Sequence, residues 1–129
     1  MPISIVVQNV PYEVSKHVAM LSTIIKKKII NLEESIILED MSHESFGKFV
    51  SLGELYYKMN DKEKSAYIKN PQILNDYTLA MDDIYNELTK EQIFSLVIIS
   101  EKLNVKFLMH YLSNKLSKYV MDDKFFDAV

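Results

Sequence analysis

The stretch from Leu88 to Tyr119, LTKEQIFSLVIISEKLNVKFLMHYLSNKLSKY, constrains this chain most. It reads as two consecutive helices joined very briefly at Asn104. Thr89-Lys90-Glu91-Gln92 has the capping-box spacing, in which the threonine and the glutamine each accept a backbone N–H from the other's position. The helix opened there carries Ile93, Phe94, Leu96, Val97, Ile98 and Ile99, interrupted by Ser95, before Glu101 and Lys102 restore polarity. A small protein builds a helix that is apolar almost all round when both sides are covered, one by its own core and the other by more protein. In the second helix Val105, Leu108, Met109, Leu112, Leu116, Tyr119 and Val120 share one face, with His110, Asn114 and Lys118 opposite. Phe107 and Tyr111, at i and i+4, form a flanking aromatic pair. The pattern points to an adaptor or assembly module rather than a catalyst.

The rest of the chain reads as mixed elements. Ile3, Ile5 and Val7 alternate with Ser4 and Val6 as a half-buried strand, and Gln8-Asn9 offers a turn. Pro11-Tyr12-Glu13-Val14 returns as a second strand, which must lie at an edge because Pro11 has no donor for a ladder. Ser15 and Ser22 are placed to cap two short helices, the second ending in Lys26-Lys27-Lys28, where cations favour the helix dipole. Ser35-Ile36-Ile37-Leu38 is a brief apolar run that suits a buried strand. Ser42 caps a helix with Phe46, Phe49, Val50, Leu52 and Tyr56 on one broad face, ending near Tyr57 to Asn60. Gly47 and Gly53 fall inside it, and close helix packing is the expected reason for both. The span 60–76 reads as a loop or insertion with one helical turn, from which Tyr67, Ile68, Ile73 and Leu74 can dock on the body. Leu79 to Tyr85 forms a further short element. This order predicts an α+β fold.

With 129 residues the chain suits one domain and can bury a core without staples. It has no cysteine, which removes disulfides, thiolate metal sites and thiol nucleophiles. All 15 basic residues are Lys, against 18 acidic ones, for a net charge of −3. An acidic chain without arginine lacks the bidentate reader of phosphate and guanine, so nucleic acid is not an expected partner. No segment reads as a signal peptide or membrane span, so a cytoplasmic or nuclear location is the expectation.

The arrangement resembles the BTB/POZ fold and, within it, the Skp-type adaptors of cullin–RING ubiquitin ligases and their relative elongin C. Family members carry a helix of the type LFELILAANYLDI followed by one of the type KGLLDVTCKTVANMI. The matching text here is IFSLVIISEKLNV, Ile93 to Val105, then KFLMHYLSNKLSKYV, Lys106 to Val120. A tryptophan-aspartate segment of the family falls at Met81-Asp82, its first helices and third strand resemble Tyr12–Ile29 and Ile36–Met41, and its poorly ordered acidic loop falls at Asn60–Asp76. The resemblance implies one BTB/POZ (Skp-like) domain over 1–129, with a small three-stranded sheet, about five or six helices, and a partner-binding helical region over 105–129.

It also implies a function: an adaptor of an SCF-type ubiquitin ligase that binds an F-box-type helical motif. Phe107, Tyr111, Met121, Phe125 and Phe126 would form the F-box side. A cullin scaffold would meet the end of the preceding helix, together with the helix from Ser42 to Lys58. The Asn-Tyr of the family's AANYL motif helps contact the cullin, and Glu101 and Lys102 occupy those positions here. Two charges in place of an amide and an aromatic change the desolvation cost at such a surface. A decoy that holds F-box proteins without a cullin is therefore an alternative, as is a BTB domain that dimerises through its amino-terminal elements.

Residues that carry chemistry elsewhere are sparse. His17, His43 and His110 fall in three separate elements, none at helical ligand spacing, so surface or interface roles are expected and no metal. The pairs Glu33-Glu34, Glu39-Asp40, Asp82-Asp83 and Asp122-Asp123 are adjacent in sequence, and adjacent side chains diverge on a helix or strand. There is no Gly-rich phosphate loop or nucleophile elbow. No catalytic residue and no cofactor is expected. The seven methionines suit core gap-filling and an adaptable contact surface equally.

Overall fold

The computed structural model describes residues 2–31, 36–38, 41–70 and 75–121. Strands β1 (Pro2–Val7) and β2 (Val10–Ser15) form an antiparallel hairpin with Val7 opposite Val10. Gln8 and Asn9 make its two-residue turn at φ 47° and 69°. Paired left-handed residues match the right-handed twist of the strands. Ser15 caps α1 (Lys16–Ala19), and Ser22 caps α2 (Thr23–Ile30) by accepting from the Ile25 N–H. The chain then returns as β3 (Ile36–Leu38), parallel to β1 with Ile5 beside Ile36, giving the sheet order β2-β1-β3. The strand containing Pro11 is thus at the edge, where a missing N–H is tolerated.

Ser42 caps α3 (His43–Lys58), the central helix, which packs against α1, α5, α6 and α7. Its Phe46, Phe49 and Leu52 are fully buried in the same core as Ile5 and Val7 of the sheet. Gly53 lets α1 approach, since a Cβ there would stand 2.9 Å from Val18 Cγ1. Gly47 has no such role, because a Cβ there would meet nothing within 4 Å. Close packing therefore accounts for one of the two glycines.

The span expected as a loop contains a nine-residue helix, α4 (Asp61–Lys69). Asn60 accepts from the Glu63 N–H at 2.8 Å, and the Glu63 carboxylate accepts from the Asn60 N–H at 3.0 Å. This capping box satisfies two N–H groups that a short helix otherwise leaves to water. Tyr67 anchors α4 in the core with no exposed surface, whereas Ile68 is exposed; Ile73 and Leu74 lie outside the described residues. Next come α5 (Asp76–Asn86), capped by Asn75, and α6 (Lys90–Lys102), opened by the Thr89–Gln92 capping box, then α7 (Lys106–Met121). The described residues thus hold seven helices rather than five or six on a three-stranded sheet, a mixed α+β architecture.

The joint between α6 and α7 is built from both ends of the chain. Asn104 sits at φ 51°, and the N–H groups of Val105 and Asn104 return to the carbonyls of Ser100 and Glu101. This is a Schellman ending with asparagine in the position glycine usually fills. Ser22, itself fully buried, donates its hydroxyl to the Leu103 carbonyl at 2.6 Å, and the Thr23 hydroxyl and N–H both reach the Asn104 carbonyl at 3.3 Å. The start of α2 therefore satisfies the carbonyls at the end of α6.

Candidate partner-binding surface

The apolar girth of α6 divides into two faces. Ile93, Leu96 and Ile99 are buried in the core. Phe94 and Ile98, four residues apart, are 40% and 50% exposed on the other side. Glu101 and Lys102 extend this outer face at the helix end and are exposed as well. Beside it, Met41, Ser42 and Ser45 at the start of α3 close a cleft of about 220 Å³ against Ser95, Ile98 and Lys102. On the other flank of α6, Val97 and Glu101 border a smaller cleft of about 110 Å³, completed by Met109, Ser113 and Leu116 of α7.

The aromatic pair of α7 lies elsewhere than expected. Tyr111 is 1% exposed and Phe107 7%, so both pack chiefly into the core, with an edge of Phe107 left at the surface. The Phe107 ring stacks on Tyr56 of α3 at 4.4 Å and 12°. The Tyr111 hydroxyl donates to Asp82 of α5 at 2.6 Å, and its ring meets Tyr85 edge-on. Lys115 pairs with the same Asp82 oxygen at 2.6 Å and lies over the Tyr85 and Tyr111 rings. Helical spacing identified these residues as a pair, but α3 and α5 cover the flank they occupy. Met121 ends α7, and Phe125 and Phe126 lie outside the described residues.

Burial governs the tyrosines here. It is the main reason that the Tyr111 and Tyr67 phenols are held well above the ordinary tyrosine value, with the Asp82 carboxylate adding to the effect at both. Burial also raises the Tyr56 phenol. The Tyr67 hydroxyl is buried with no hydrogen-bond partner among the described residues.

The face of α7 not covered by the core presents Lys106, Met109, His110 and Ser113. With Tyr56 of α3 and Tyr67 and Ile68 of α4, these side chains and the edge of Phe107 line an open groove of about 390 Å³. Sequence reasoning missed this groove because its outer wall is α4. The signal that could have found it is the Asn60–Glu63 capping-box spacing.

The three histidines are separate. His17 stacks on Tyr57 at 4.4 Å, His43 bonds the Tyr12 hydroxyl through Nδ1 at 2.9 Å, and His110 lines the groove. Among the described residues no three His, Cys, Asp or Glu side chains are grouped to hold a metal ion. No described helix is long and apolar enough to cross a membrane. What the surface presents is exposed apolar side chains, bordered by a few charges, on helices anchored in the core. No protein-family model matches the chain, and neither does any curated protein.

Proposed function

We propose that the protein is a Skp-like, BTB-fold adaptor that joins an F-box-type helical motif to a cullin scaffold in a ubiquitin ligase. The observation that carries the reading is the outer face of α6, where Phe94 and Ile98 remain 40% and 50% exposed although the helix is already anchored in the core by its other side. Apolar side chains kept at the surface on a rigid helix favour association, at about 25 cal/mol per Å² covered before ordering costs. The strand–strand–helix–helix–strand–helix order and the resemblance of Ile93–Val120 to the adaptor family support the same reading. In it, the scaffold meets Ile98, Glu101 and Lys102, and the F-box motif lies along the α6–α7 edge at Met109, Ser113 and Leu116.

The exposed charges of Glu101 and Lys102 favour a second reading, in which the protein holds F-box partners without recruiting a cullin. Co-expression with an F-box helical segment and the amino-terminal part of a cullin tests both. The adaptor reading expects both partners to co-purify, with Ile98→Glu losing the cullin alone and Met109→Glu losing the F-box segment alone. Capture of the F-box segment without cullin supports the decoy. Capture of neither overturns both.

A further inference from the structure

The groove between α3, α4 and α7 shares Met109 and Ser113 with the α6–α7 cleft and opens on the other side of them from α6. Its walls are aromatic and stiff. Tyr56 is fixed by stacking on Phe107 and by an edge contact with Tyr67. Its volume of about 390 Å³ is of the size that admits bulky apolar side chains.

The charge around it is of one sign. Lys106 lines it from α7, and Lys64 of α4 lies 5.5 Å from the Tyr56 ring centre. No acidic side chain lines it among the described residues. Glu63, on the same short helix as Lys64, has its carboxylate turned back to cap α4. A cationic rim on a chain of net charge −3 is a local departure from the general surface. An apolar floor with such a rim selects against a basic ligand and favours an acidic one.

We infer that this groove docks an acidic amphipathic helix from a partner protein, with Leu or Phe anchors at i and i+3 or i+4 against Tyr56, Phe107 and Ile68. Carboxylates flanking the anchors pair with Lys64 and Lys106. The site does not depend on the F-box or cullin assignments. It depends on α4, which forms its outer wall.

Fluorescence anisotropy of labelled peptides on the full-length protein tests the proposal. The probe is EELFEELLEEFLEE, and the control KKLFKKLLKKFLKK keeps the apolar positions and reverses the charge. The acidic probe is expected to bind saturably and at least tenfold more tightly than the control, with the preference shrinking as salt is raised. A Lys64→Glu/Lys106→Glu variant, verified as folded by circular dichroism, is expected to reverse the preference while still capturing whatever F-box segment the parent captures. Equal binding of both peptides, or unchanged preference in the variant, overturns the proposal. So does acidic-probe binding that emerges only in a Phe125→Ser/Phe126→Ser variant, which would assign the groove to the chain's own tail. A dimer abolished by Lys106→Glu would assign it to a second copy and overturn the proposal equally.

Discussion

Tyr111 and Asp82 are joined by a 2.6 Å hydrogen bond that ties α7 to α5 across 29 residues of sequence. The same Asp82 oxygen receives Lys115, so one carboxylate holds two successive turns of α7. Hydrogen bonds to charged groups contribute about 1.5–3 kcal/mol when formed away from bulk water. Asp82 keeps a quarter of its side chain exposed, which places the bond at the lower end of that range. Tyr111→Phe should therefore cost about 1–2 kcal/mol, read as a lower urea midpoint with an unchanged slope. Asp82→Ala should cost more, because Lys115 loses its partner too. A double variant no worse than Asp82→Ala alone would confirm that the two act through one bond, and simple additivity would refute it.

Alkaline pH should unfold the protein by way of the same tyrosines. Below the ordinary tyrosine value, about 10, the phenols are neutral in both states and full stability is present. Above it the unfolded chain releases protons that buried Tyr111 and Tyr67 retain when folded, so stability falls as pH rises toward their folded values. Urea midpoints measured from about pH 8 to about pH 11 should be level at first and then drop. A Tyr67→Phe/Tyr111→Phe variant should drop less steeply. Parallel curves for parent and variant would count against this origin.

The two glycines of α3 should respond in opposite directions. Gly47→Ala adds a Cβ into open space and should stabilise by about 1 kcal/mol through helix propensity. Gly53→Ala places its Cβ 2.9 Å from a Val18 that is 1% exposed and β-branched, so that side chain has little room to turn. Overpacking costs about 1–3 kcal/mol, and against so stiff a neighbour it exceeds the propensity gain. Thermal midpoints should rank Gly47→Ala above the parent and the parent above Gly53→Ala.

Asn60→Ala should remove the cap of α4 at a cost of about 1 kcal/mol. The effect should be local, because α4 hangs from the core chiefly by Tyr67. Hydrogen exchange should quicken over 61–69 and stay unchanged in α6. Loss of protection spread evenly over the chain would argue that α4 does not open on its own.

How legible the fold was depends on how local each signal is. The hairpin turn, the serine caps, the Thr89–Gln92 box and the break at Asn104 all arise within a few residues, and each was readable in advance. Helix α4 was not. The charges of DKEK resemble a solvated loop, and one buried side chain, Tyr67, leaves too faint a period to reveal a helix. The Asn60–Glu63 spacing was the local sign available. For Phe107 and Tyr111 the difficulty was different in kind. Their i, i+4 relation fixes a shared flank, but what covers that flank comes from Tyr56, Asp82 and Tyr85, at least 22 residues away in sequence. The same limit applies to α6, whose apolar circumference did not say which side the core would take.

The hydroxyl of Ser22 reaches the Leu103 carbonyl across 81 positions of sequence. Closing so long a loop carries an entropic cost that must be met before the contact forms, which makes the docking of α2 on the α6–α7 corner a late event in folding. During synthesis α2 leaves the ribosome long before its acceptor exists, so the amino-terminal quarter must wait as a template for the helices made last. The carboxy-terminal pair thus brings its own turn at Asn104 but borrows from α2 the donors that cover the last carbonyls of that turn. A peptide spanning α6 and α7 alone would leave those carbonyls to water.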